Sequence, residues 1–126
     1  MKTLLMVALG GAIGASGRYG IGVLAGRLTH GDFPAGTFTA NIVGSFVLGV
    51  LAGLMTFAWN PAPEIRAFLV VGVLGGFTTF SAFSLDVVLL MERGRPLLAA
   101  GYLVATVVVS VGGLFAGLRL MRSVLA

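Results

Sequence analysis

Hydrophobic residues gather in four long runs along this chain, and polar residues gather in the short gaps between them. The runs span about residues 3–26, 36–58, 65–91 and 97–120. Each reaches the ~20 residues that an α-helix needs to cross the hydrocarbon core of a bilayer. In the middle gap, "NPAPE" (residues 60–64) uses prolines to stop one helix and open the next. "ERGRP" (residues 92–96) precedes the last run. The gaps are too short to hold a soluble domain. The pattern predicts an all-α membrane protein, one four-span transmembrane domain over residues 1–126.

Composition agrees. Hydrophobic residues make up 58% of the chain and charged residues 10%, against roughly 25% charged in globular proteins; the mean hydropathy is +1.09. The formal charge of +4 does not point to nucleic acid, because the basic residues sit at the ends of apolar runs and form no stripe. Cysteine is absent, which removes disulfides, thiol catalysis and cysteine metal sites. The opening "MKTLLMVALGGAIGASG" imitates a secretory signal, but its apolar run continues past Arg18 and further spans follow. "GIGVLAG" has the wrong glycine spacing for a dinucleotide fingerprint and no strand before it.

Twenty glycines would weaken soluble helices, yet in a membrane small residues four apart let helix backbones approach closely. Gly10 and Gly14, Gly22 and Gly26, Gly49 and Gly53, Gly72 and Gly76, and Gly113 and Gly117 have that spacing. They predict a compact bundle and no particular function.

Four spans place both termini on one side, with Lys2, Arg66, Arg119 and Arg122, and leave Arg27, Arg93 and Arg95 on the other. A count of four against three gives almost no positive-inside instruction. One reading is that the chain inserts both ways, although a weak bias also occurs in proteins with a single orientation. Four helices packed by small residues also enclose no hydrated path, so transport requires a second chain or a path along the outside of the bundle. Inverted copies would pair about a two-fold axis in the membrane plane.

The third span carries "GGFTTFSAFS" (residues 75–84) at its centre, with its midpoint near Thr78. Gly75 and Gly76 weaken the helix there, and Thr78, Thr79, Ser81 and Ser84 can bond freed backbone groups. Two readings follow: a helix broken at the midplane, whose unwound carbonyls face an ion, or an unbroken helix whose hydroxyls bond back to it. Thr37, Asn41 and Ser45 form a narrow stripe on the second span, as do Tyr102, Thr106 and Ser110 on the fourth. Such stripes serve helix packing or replace water around a small ion. Phe80 and Phe83 leave the sign of that ion open, since aromatic faces are electronegative and edges electropositive.

"GTFTANIVGSF", "GGFTTFSAFS" and "GYLVATVVVS", in that order on spans two, three and four, resemble the Fluc family of small bacterial fluoride channels, also called CrcB proteins. The resemblance covers essentially the whole chain. It implies an antiparallel, dual-topology homodimer in the bacterial inner (plasma) membrane, with two fluoride pores that lower cytosolic fluoride by passive export. It also implies a central sodium ion, structural and not transported, held by the backbone carbonyls of Gly75 and Thr78. By motif position the ion pathway falls on Asn41, Phe80 and Phe83, with Tyr102, Thr106 and Ser110 as the track on the last helix; Thr37 joins it from the stripe on the second span.

Arg18 lies ~12 Å inside the first span by helical rise; snorkelling to the interface and attraction of an anion are both open to it. Asp86, nearer the end of span three, is expected to pair with a basic residue or cap backbone. His30, beside Asp32, reads as a solvated loop residue. The competing function is a small dual-topology multidrug or cation antiporter, which would want a carboxylate near the centre of a span. A noncatalytic assembly subunit leaves the polar stripes without a purpose. An enzyme is not expected, because no nucleophile with a base and no paired carboxylates or metal-ligand cluster stand out.

Overall fold

The computed structural model describes residues 1–126 and contains four helical spans long and apolar enough to cross a membrane. Helix α1 (Lys2–Leu28) and α2 (Ala35–Phe57) are continuous. The third span is composite: α3 (Pro63–Arg66), a π-helical stretch Ala67–Leu74, a short α4 (Gly75–Phe77), and α5 (Ser81–Glu92). Helix α6 (Pro96–Leu125) completes the bundle. Four helical spans are present, as expected; their ends lie one to five residues from the expected bounds.

Local chemistry sets the boundaries. Pro63 and Pro96 occupy the first turns of their helices, where a missing N–H costs no bond. Just past the end of helix α5 lies Gly94, whose φ of 74° suits a residue without a Cβ. There the Arg95 N–H bonds the Leu90 carbonyl at 2.9 Å and the Gly94 N–H bonds the Met91 carbonyl at 3.1 Å, closing the last turn. Arg95 then pairs with Asp32, which ties the α1–α2 connection to the α5–α6 connection at one end of the bundle.

The helices pack as two tight, non-consecutive pairs: α1 against the π stretch and α4, and α2 against α6. Gly14 is the contact point of the first pair, since a methyl there would run into the Val73 carbonyl oxygen. Gly49 has the same role in the second, facing the Leu114 carbonyl. The close-approach reading therefore holds for Gly10, Gly14, Gly49, Gly53, Gly72, Gly76 and Gly117, but a methyl at Gly26 would meet nothing, and one at Gly113 only ordinary contacts. Only 16 of 126 residues are buried, so the single chain has too little interior to enclose a path. Its polar groups must work along an outer cleft.

Two features of the third span differ from expectation. The glycines do not unwind it: Gly75 to Phe77 stay helical, and the break falls at Thr78 to Phe80, with Thr78 extended at φ −89° and ψ 158°. Preceding it, the eight-residue π stretch was not expected from "AFLVVGVL". π-Turns are rare and gather at functional sites.

Candidate functional site: the break in the third span

Asn41 explains why the chain is interrupted after Phe77. From α2 its Nδ2 donates to the Thr79 carbonyl at 3.0 Å and its Oδ1 accepts the Thr79 N–H at 2.8 Å. This two-way amide pair holds the residue after the extended Thr78 as a strand partner would. The Thr79 N–H would otherwise close the helical bond onto the Gly75 carbonyl. Likewise the Ala82 N–H, the helical partner of the Thr78 carbonyl, donates instead to Thr79 Oγ1 at 3.1 Å. Side chains have taken both donors, so the carbonyls of Gly75 and Thr78 are left without their helical partners. Two of the other hydroxyls follow the back-bonding alternative: Thr78 Oγ1 donates to the Leu74 carbonyl at 2.9 Å and Ser84 Oγ to that of Phe80 at 2.9 Å, while Ser81 Oγ pairs with Thr79 Oγ1 at 3.3 Å. Both sequence readings are thus partly realised, a broken helix whose ends are finished by back-bonded hydroxyls.

The break opens onto a cleft of about 410 Å³ between α2, α5 and α6. Asn41 and Ser45 line it from α2, Gly75, Thr78, Phe80 and Phe83 from the third span, and Thr106 and Ser110 from α6. The hydroxyls of Thr106 and Ser110 are buried and make no hydrogen bond within the chain. Buried polar groups are rarely left so. Phe80 and Phe83 meet edge to face, 5.6 Å between centroids, but their settings differ: Phe80 is 76% exposed and Phe83 only 5%.

Phe83 also packs on Tyr102, 5.2 Å away, which Phe33 meets edge-on from the first connection. Tyr102 is fully buried, and its hydroxyl donates to Asp86 Oδ2 at 3.0 Å. Asp86 therefore serves a tyrosine and not the basic residue or backbone cap expected. Nothing near Asp86 in sequence signals this, because its partner lies on another helix. Tyr102 and Thr37 do not line the cleft with Asn41. Thr37 instead borders a separate cleft of about 330 Å³ with Arg18, Tyr19, Gly22 and Gly36. Arg18 is half-buried there, and its Nε donates to the Gly76 carbonyl at 3.3 Å, a contact across 58 residues that the sequence did not disclose.

Gly75 and Thr78, whose carbonyls have lost their helical donors, line the same cleft; neutral backbone oxygens are the donor type suited to a hard cation. Among the side chains, no group of three or more His, Cys, Asp or Glu comes together. The residues fit a hard monovalent ion held by backbone and do not fit a transition metal.

Four apolar spans, an interrupted third span and a cleft beside that interruption define a small multi-pass membrane protein. The comparison with known proteins gives the particular family. The family described as "CrcB-like protein, Camphor Resistance (CrcB)" matches residues 5–118, and the chain belongs to it. Among relatives, a protein of Rhodospirillum centenum is 58% identical over 126 residues, covering 100% of both chains. One of Agrobacterium fabrum is 53% identical and one of Paracoccus denitrificans 49%, each alignment covering 98% of both chains. All three carry the name fluoride-specific ion channel FluC. The chain is thus a multi-pass bacterial membrane protein, and its resemblance to the family read from three motifs holds over its full length.

Proposed function

We propose that this protein conducts fluoride passively out of the cytoplasm across the bacterial inner membrane, as an antiparallel homodimer with two paths. The observation that carries the reading is the pair of buried, unpartnered hydroxyls of Thr106 and Ser110, on residues that line one cleft with the break and the two phenylalanines. Hydroxyls donate to an anion without carrying charge themselves, and the electropositive edges of Phe80 and Phe83 extend the same preference. Asn41 frames the path, while Tyr102 continues the α6 stripe beneath Phe83. Thr37 and Arg18 form a second cleft, where the guanidinium is placed to attract an anion. Full-length similarity to proteins named fluoride-specific ion channel supports fluoride as that anion. Membrane potential and the accumulation of hydrogen fluoride in acid supply the outward driving force.

The Gly75 and Thr78 carbonyls would hold a structural sodium ion where two breaks meet across the dimer axis. When bound, it contributes a fixed positive charge and is not transported. The antiporter reading lacks its central carboxylate, since Asp86 accepts the Tyr102 hydroxyl and Asp32 pairs with Arg95. No reacting group is required of the protein, so it is read as a channel and not an enzyme. Efflux from liposomes, followed with a fluoride electrode and with chloride as control, tests the proposal. Fluoride release without chloride release is expected; no release from well-incorporated protein would sink it. Replacing sodium on both sides by a large organic cation should lower the flux, and unchanged flux would remove the sodium part alone.

A further inference from the structure

Glycines on α1 lead directly to the break. Gly10 and Gly14 set the α1 backbone against Phe68, Gly72 and Val73, and Gly17 faces the Phe77 ring. One turn beyond Gly14, the same face ends in Arg18. Its guanidinium meets no carboxylate: the chain's one salt bridge joins Arg95 to Asp32. Its hydrogen bond within the chain is from Nε to the carbonyl of Gly76.

That carbonyl is singular in its position. In a continuous helix it would accept the Phe80 N–H, which the extended Thr78 carries out of register. Arg18 supplies the missing donor. The neighbouring carbonyls of Gly75 and Thr78 lose their amides to Asn41 and Thr79 but gain no replacement. The residues also face different ways. A methyl on Gly76 would point into α1, 2.7 Å from the Gly11 oxygen and 3.2 Å from the Ala15 nitrogen, whereas Gly75 and Thr78 line the cleft toward α6.

We propose that Arg18 is a positioning residue for the break, which by holding the Gly76 carbonyl toward α1 pins the broken segment in place and keeps Gly75 and Thr78 on the cleft. A positive charge beside a cation site acts in the opposite sense, by repulsion. The two roles therefore differ in sign. If Arg18 acts only through its charge, neutralising it tightens sodium binding; if it positions the break, neutralising it weakens sodium binding. This second consequence rests on the sodium reading above, whereas the positioning itself does not.

The test uses the full chain in lipid nanodiscs with two variants, Arg18→Met, which removes both donor and charge, and Arg18→Lys, which keeps both. Hydrogen–deuterium exchange over residues 75–84 should accelerate by about tenfold or more in Arg18→Met, the factor expected for one charge-assisted bond. Arg18→Lys should recover part of the protection. Unchanged exchange in the Met variant would overturn the proposal, as would acceleration spread evenly over all helices, or a Lys variant that recovers none. In liposomes, the sodium concentration for half-maximal fluoride flux should rise in Arg18→Met; a fall would assign Arg18 to charge alone. A wild-type flux indifferent to sodium would refute the sodium reading and leave the exchange result to decide on Arg18.

Discussion

Replacing Thr106 by valine and Ser110 by alanine should make the protein more stable and less active at once. Both hydroxyls are buried without a partner in the chain, and Thr106 is only 5% exposed. An unmet buried hydroxyl costs about 1–3 kcal/mol, and valine fills the shape of threonine without it. Taking the lower part of that range for each site, the double variant should gain roughly 2 kcal/mol in unfolding free energy. The same hydroxyls are assigned to the anion in transit, where bonds to a charged group are worth about 1.5–3 kcal/mol each. Losing two of them at the lower bound amounts to ~3 kcal/mol, or about a hundredfold in rate. Denaturation in detergent micelles measures the first effect, and fluoride-electrode efflux from liposomes of matched protein content measures the second. A double variant destabilised by more than about 1 kcal/mol would show that the hydroxyls are structural donors, to the partner subunit for instance. Wild-type flux would show that the track lies elsewhere.

Asn41→Leu should release the Thr79 N–H to the Gly75 carbonyl and rewind the break, lowering fluoride flux and its sodium dependence; Asn41→Asp should lower fluoride flux without opening a cation leak, and a measured potassium or sodium current would reverse the assigned sign. Phe80→Ile should reduce flux at no cost in stability because that ring is exposed, whereas Phe83→Ile should reduce flux and also loosen the cluster around Tyr102 by roughly 1 kcal/mol; normal flux in both would make the rings packing residues. Gly49→Val should separate α2 from α6 and cost about 1–3 kcal/mol or more, while Gly112→Ala, which meets nothing within 4 Å, should unfold like the wild type. Adding three lysines to the α1–α2 connection should fix one orientation and reduce activity, and C-terminal tags on the unmodified chain should label both sides of the membrane; one-sided labelling would contradict the antiparallel dimer.

What the sequence disclosed and what it hid follow from range. The spans were legible because apolar runs and proline punctuation are local signals. The break was legible because glycines and hydroxyls are out of place at mid-membrane, whereas the Asn41–Thr79 pair that holds it joins residues 38 apart and was not. The stripe rule sees helix faces but not neighbours: Asn41, Thr106 and Ser110 line one cleft, while Thr37 borders another. The π stretch stayed hidden because "AFLVVGVL" has no polar residue to reveal a change of period. Arg18 on Gly76 and Asp86 on Tyr102 are tertiary partnerships, which a single sequence does not encode as a pattern.

The pairing of α1 with the third span and of α2 with α6 has a consequence for biogenesis. Neither seam joins helices that are consecutive in the chain, so the nascent protein cannot be assembled hairpin by hairpin as it leaves the ribosome. The α1 seam waits for the π stretch and α4, and Gly49 and Gly53 wait until Leu114, Leu118 and Met121 have been synthesised. Through most of translation two glycine-lined helix faces stand open in the lipid. Closure of the α2 seam therefore comes only after Leu114 to Met121 have been made.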